Sequence, residues 1–176
     1  MLLNFLQTRR STRQFKPDPI TPEQIEQLTE ALLRSPSSRG LSPWHFVVVD
    51  DPQLLARLAH AKAHGAEFLA GAPLGVAICA DPARSDVWVE DCAIAAIILQ
   101  LTVESIGLGS CWAQMRLRSD ASGRSAEANV RAILNLPEEW CVDCIIGIGQ
   151  PQRRLPGHPR ASLPLAKIHR NHYQQE

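Results

Sequence analysis

The densest chemistry in the chain lies at Arg9-Arg10-Ser11-Thr12-Arg13, three guanidinium groups and two hydroxyls in consecutive positions. A phosphate monoester carries nearly two charges, and the planar arginine fork meets it with paired, charge-assisted hydrogen bonds. Ser11 adds a hydroxyl donor to the same oxygens. The alternative is a solvated helix end whose cations offset the C-terminal dipole. The 176 residues include 18 basic and 18 acidic side chains, so there is no overall basic field to capture nucleic acid. An anion site here must be local.

A second stretch, SPSSRGLSPW at 35–44, combines hydroxyls, a glycine and a terminal Trp44 ahead of an apolar run. Such a loop can bring backbone N–H groups and serines against a flat polar ligand. It can equally be a plain helix-to-strand connection. Other signals are weaker. Cys141 and Cys144 are spaced C-x-x-C, but three-apart residues of a regular strand face opposite sides, which suits neither one metal nor a disulfide, even with His169 and His172 added. GIGQPQ lacks the third glycine of a dinucleotide fingerprint and runs into proline. Trp88, Trp112 and Trp140 read as core; His60, Lys62 and His64 could approach a bound phosphate but read rather as surface. No metal site is expected, and no acid–base side chain is assigned.

The elements that must position these residues follow from capping and periodicity. Residues 2–9 predict a short helix ending at the arginines. In ITPEQIEQLTEALLRS, Thr21 caps, Pro22 opens and Gln24 closes a capping box, with Ile25, Leu28, Leu32 and Leu33 as one stripe. HFVVV at 45–49 predicts a strand. Asp51-Pro52 opens a helix toward about residue 63, and a short helix covers 65–70. LGVAICA at 74–80 predicts a buried strand. Ser85 or Asp86 caps a long helix to about Ile106, stopped by Gly107 and Gly109. SCWAQM, residues 125–135 and WCVDCIIGIG then predict a strand, a helix and a strand. Helices and strands mixed without strict alternation imply one α+β domain over 1–176 with four or five strands.

The long helix carries apolar side chains in nearly every direction from Ile94 to Val103. A helix apolar on all sides must be buried on all sides, which predicts a homodimer whose second copy covers one face. The charge-free run from Cys92 to Val103 is too short for a membrane span. The opening MLLNFLQTRR lacks the basic-then-apolar order of a secretory signal. Five cysteines, most of them in apolar runs, predict buried thiols in a reducing, cytoplasmic setting.

RRSTRQF at 9–15, PSSRGLSPWHFVVV at 36–49, GLGSCW at 107–112 and LNLPEEW with IIGIGQP between 134 and 151 resemble, in order and spacing, the nitroreductase family of FMN-dependent oxidoreductases. The resemblance implies an α-β-α sandwich, with a mostly antiparallel sheet of four to five strands flanked by helices. It implies FMN as cofactor, NAD(P)H as reductant, and a nitroaromatic, quinone or similar acceptor, served in turn by one exposed ring face. A specialised reaction such as reductive dehalogenation, or FMN storage without turnover, would use the same scaffold. Arg9, Arg10, Ser11 and Arg13 are implied to hold the phosphate and ribityl chain, with Arg13 reaching the ring's polar edge. Pro36, Ser37, Ser38, Arg39 and Gly40 are implied to come from the other subunit, which puts FMN at the dimer interface. Gly40 and Ser42 stand where the family usually has Asn and Gln, so contacts there must be backbone or hydroxyl. Gly109 and Ser110 would offer backbone groups near the ring. Arg160, with Lys167 as rival, would add a late positive charge to the phosphate.

Overall fold

Two strands buried along their whole length sit at the centre of the sheet: β2 (Leu74–Ala80) and, apart from its half-buried first residue, β4 (Cys141–Gly149). They read as apolar runs, broken only by Asp143 of β4, because both faces are covered. The computed structural model describes residues 2–173, so the ends of the domain expected over 1–176 lie outside the described residues. β1 (Trp44–Val49) flanks β2 and β3 (Gly109–Gln114) flanks β4, giving the order β1-β2-β4-β3 with every pair antiparallel. Four antiparallel strands with helices on both faces fulfil the expected α+β sandwich.

The faces hold separate cores. Val76, Ile78, Cys144, Ile146 and Ile148 pack with Leu28 and Leu32 of α2 (Pro22–Leu33) and Leu99 of α4 (Trp88–Ser105). Ala77, Cys79, Val142 and Ile145 pack with Leu55 and Leu58 of α3 (Pro52–Ala59), the 3-10 turn Glu67–Gly71 and Val130 of α5 (Ala126–Leu134). α1 (Leu2–Thr8) rests on the far end of α4, where Thr8 Oγ1 donates to Glu104 Oε1 at 3.1 Å.

The capping box of α2 is present in full, with Gln24 N to Thr21 Oγ1 at 3.3 Å and Thr21 N to Gln24 Oε1 at 3.1 Å. Leu33, expected on the stripe of α2, is instead 67% exposed. α3 stops at Ala59, short of residue 63, and the chain turns through Gly65 at φ +83. α4 begins at Trp88 without a side-chain cap. Ser85, one of its expected caps, donates to Asp91 Oδ2 at 3.2 Å, and the other, Asp86, pairs with Arg39. Gly107 at φ +81 ends it as expected.

The register corrects the reading of the cysteines. Ile78 pairs with Cys144 and Cys79 with Val142, leaving Asp143 as the extra residue of a bulge. Cys141 pairs with Ala80 and Cys144 with Ile78, so both partners share one face of β2, contrary to strict alternation. All five cysteines are nonetheless free thiols, and burial pushes Cys79 up to about 12.

α4 is not enclosed by its own chain. Cys92, Ala95, Ala96, Leu99 and Val103 are buried, but Ile94 and Ile97 are 39% and 40% exposed, and Ile98 and Leu101 are half-buried. Positions 94, 97, 98 and 101 form one helical stripe. No helix among the described residues is long and apolar enough to cross a membrane.

Candidate cofactor site

After α1 the chain runs extended across the outer edge of β3. Ser11 bridges Ser110 in parallel, and Thr12 N donates to Ser110 O at 2.9 Å. The segment then crosses the end of β4, with Lys16 N to Gln150 O at 2.8 Å and Gln152 N to Gln14 O at 3.0 Å. Gly109 makes the approach possible: a Cβ there would lie 2.6 Å from Thr12 Oγ1 and 2.9 Å from Pro151 Cγ. Ser110 is buried, its carbonyl is taken by Thr12, and its Oγ accepts from Gln100 Nε2 at 3.3 Å. Gly109 and Ser110 thus hold the arginine segment in place.

The arginines diverge. Arg9 lines an apolar cleft of about 660 Å3 between α1 and the tail, and Arg160 with His158 lines the same cleft. Arg10 faces the adjoining cavity of about 330 Å3, where its Nη1 donates to Pro156 O at 2.8 Å. Arg154 shares that second cavity and spends its guanidinium on Glu104 at 3.4 Å and Gly107 O at 2.5 Å. Lys167 lies in an exposed 3-10 turn and lines neither space.

The Cys111 thiol of β3 lies within electrostatic reach of Arg13 and, more weakly, of Lys62. Burial pushes that thiol up, while the Arg13 charge, a Ser11 hydrogen bond and, more weakly, Lys62 pull it back. Lys62, read from sequence as surface, is half-buried, and burial together with the Arg118 charge lowers its pKa. One sequence signal could have found it. Leu55, Leu58 and Ala59 form the inward stripe of α3, and position 62 continues that stripe.

Beyond Ser110 no backbone partner lies along the edge of β3 among the described residues. N–H and C=O groups of alternate strand residues point the same way, so Trp112 and Gln114 direct theirs outward as Ser110 does. Met115 N, of the opposite parity, bonds Asp143 O at 3.0 Å on the β4 side. The side chains along this edge are tied together, Trp112 Nε1 donating to Gln114 Oε1 at 2.9 Å and Gln114 Nε2 to Arg116 O at 3.3 Å.

The second motif lies elsewhere. Ser38 N donates to Asp91 Oδ1 at 2.7 Å, and Arg39 pairs with Asp86, both at the start of α4. Ser37 Oγ accepts from Ser42 N at 2.8 Å. Pro36 is exposed, and Arg39, Gly40 and Ser42 all hold positive φ. The arginine segment packs instead near Glu104, and about 20 Å of helix axis separates Asp91 from Glu104. One chain does not bring the two motifs together. His169 and His172 lie in the exposed tail, and no group of three or more metal-ligating side chains occurs among the described residues.

Comparison with known proteins bears on the chain and its fold as a whole. The profile of the Nitroreductase family matches residues 6–67 and 59–150. A solved structure of an FMN-dependent nitroreductase from Clostridium difficile superposes with TM-score 0.95 at 38% identity, covering 97% of this chain and 99% of that one. The NADPH:FMN oxidoreductase of Vibrio harveyi, solved in complex with NAD+, gives TM-score 0.82 at 25% identity over 99% of this chain and 79% of its own. An NADH dehydrogenase of Thermus thermophilus is 27% identical over 91% of this chain and 90% of its length.

Proposed function

The chain belongs to the nitroreductase family, and on that premise we propose that it is an FMN-dependent NAD(P)H oxidoreductase that passes reducing equivalents to a nitroaromatic, quinone or related small acceptor. The observation that carries this reading is the arginine segment clamped to one end of β3 while the rest of that strand's edge has no backbone partner among the described residues. Arg9 and Arg160 face one cleft and supply the charge a phosphate monoester requires. Ser11 and Arg13 continue from it toward Cys111, and the outward amides of Trp112 and Gln114 offer donors and acceptors to a flat heterocycle. The donor set fits FMN.

FMN, when bound, supplies a ring that can accept and release hydride; the protein binds, orients and tunes it. Arg9 and Arg160 would hold the phosphate end with Ser11 beside them, and Arg10, already bonded to Pro156 O in the neighbouring cavity, would contribute less. Arg13 places a positive charge at the polar edge of the ring. Gly109 and Ser110 act by fixing the segment that bears these groups.

Loop 36–40 enters through a second copy. Two α4 helices packed antiparallel through Ile94, Ile97, Ile98 and Leu101 would set the start of one against the end of the other. That arrangement carries Pro36, Ser37, Ser38, Arg39 and Gly40 of one protomer toward the arginine segment of its partner. Free thiols, buried except for half-buried Cys141, suit a reducing, cytoplasmic setting. One open face serves reductant and acceptor in turn, a ping-pong order.

The test is the visible spectrum of the purified protein, followed by anaerobic addition of NADH or NADPH and steady-state kinetics at several acceptor concentrations. The expected results are a flavin spectrum, bleaching, and parallel double-reciprocal lines. A colourless protein would defeat the cofactor reading. A coloured protein that neither nicotinamide bleaches would indicate storage, and intersecting lines would indicate a ternary complex.

A further inference from the structure

The loop that follows β3 carries charge that the cofactor does not use. Residues 116–124 include Arg116, Arg118 and Arg124, and they are braced against the segment that bears Lys62. Ala63 N donates to Ser119 O at 3.0 Å, and Asn129 Nδ2 bridges Ala61 O at 3.0 Å and Asp120 Oδ2 at 2.8 Å. Ala126 N to Arg118 O at 2.9 Å and Arg118 N to Met115 O at 3.1 Å fix the backbone on either side. These braces hold Lys62 near enough to Arg118 for the two like charges to interact. Such a pair costs stability unless an anion shares it.

The nearby acids offset this charge only in part: the Glu67 carboxylate acts on Lys62, while Arg116, Arg118 and Arg124 share the loop with Asp120 as its one acid. Glu67 accepts from Gly65 N at 2.8 and 3.0 Å. The Asp120 carboxylate accepts from Ser122, the Arg124 amide and Asn129, which hold its pKa near about 2. Arg116 leans over the Trp88 ring at 5.7 Å. Arg118 is exposed, and its guanidinium donates only to the carbonyl of Leu117 among the described residues. Leu117 itself holds φ +58 with 73% of its surface exposed. An apolar side chain kept outside in a strained conformation is a feature of ligand-contacting loops.

Position decides what the anion is. β3 carries the chain about 17 Å from Gly109, beside the phosphate clamp, to Gln114, where this loop begins. One cofactor phosphate cannot occupy both ends. Resting on the reading of the β3 edge as the ring site, we propose that Lys62 and Arg118 form a second anion site that binds a phosphate group of the nicotinamide dinucleotide while its nicotinamide stacks on the ring. The group is the pyrophosphate common to NADH and NADPH or the 2′-phosphate of NADPH alone. Leu117 would contact the adjoining ribose or base.

The experiment uses the full-length protein as purified and titrates it calorimetrically with ADP-ribose and with 2′-phospho-ADP-ribose, which lack the nicotinamide. Arg118→Gln should weaken binding about tenfold, as loss of a charge-assisted contact does, and Arg118→Lys should recover part of it. Loss for both probes assigns the pyrophosphate; loss for the 2′-phosphorylated probe alone assigns the 2′-phosphate. The flavin spectrum of Arg118→Gln and its reduction by dithionite should match those of the unaltered protein. Equal affinity of the unaltered protein and Arg118→Gln for both probes overturns the proposal, whether or not the protein is yellow. Absence of a flavin spectrum from the unaltered protein would instead count against the cofactor reading.

Discussion

Thr12 donates its backbone N–H to the carbonyl of Ser110 at 2.9 Å, and this bond aligns the arginine segment with β3. It forms because residue 109 has no side chain: any Cβ there would sit within 2.9 Å of both Thr12 Oγ1 and Thr12 Cβ. Gly109→Ala should therefore push the segment off the strand. Overpacking of this kind costs about 1–3 kcal/mol. The expected outcome is a lower denaturation midpoint together with weaker FMN retention. A variant with unchanged stability and unchanged FMN affinity would show that the segment does not depend on this approach.

Arg9 and Arg10 are neighbours in sequence but face different cavities, and only Arg9 shares its cleft with Arg160. Arg9→Ala should weaken FMN by about 1.5–3 kcal/mol, the worth of a hydrogen bond to a charged group. Arg10→Ala should cost less, because its guanidinium already serves Pro156 O. Riboflavin affinity should barely change in either variant. Fluorescence titration of both ligands into the apoprotein checks this, and equal losses for FMN and riboflavin would refute phosphate anchoring.

Legibility followed the range of the interactions. The capping box of α2 and the apolar runs of β2 and β4 are local, so Thr21, Gln24 and residues 74–80 were readable from sequence. The start of α4 was not, because Ser85 turns to Asp91 in the helix's own first turn instead of capping, and Asp86 is drawn to Arg39, a partner set by tertiary structure. Nor was the bulge at Asp143, which depends on the register of β2 against β4. Within the candidate site, Arg9, Arg10, Ser11 and Arg13 stood out as a motif, whereas Arg160 came only from the family resemblance, with Lys167 as its rival. Lys62 did not stand out, because its neighbours Cys111 and Arg118 lie far away in the chain.

The open stripe of α4 gives the assembly test. Ile97 is 40% exposed beside Ile94, Ile98 and Leu101. Ile97→Glu places a charge in what the dimer would bury, while leaving the cores on both faces of the sheet untouched. Sedimentation velocity should show a monomer for the variant and a dimer for the unaltered chain. FMN should be lost with the dimer, since loop 36–40 lies about 20 Å along α4 from the arginine segment of its own protomer. A monomeric variant that keeps its FMN would argue against a site shared between subunits.

Asp143 offers a pH test inside the fold. Its carboxylate is buried at the bulge, Oδ2 has no hydrogen-bond partner among the described residues, and burial raises its pKa, while hydrogen bonds from Cys144 and Gln114 and the Arg116 charge offset part of that shift. An acid whose pKa is higher in the folded than in the unfolded state binds more protons when folded. Its contribution to stability is therefore present below the ordinary aspartate range near about pH 4 and is lost as pH rises through the folded value. Asp143→Asn removes that loss and leaves the bulge with a neutral side chain of the same shape. Denaturant midpoints measured between acidic and neutral pH should show the variant gaining on the unaltered protein as pH rises, and the two converging at the acid end. A difference constant across the range would mean that Asp143 does not titrate on folding, and its cost would then be one of hydrogen bonding alone.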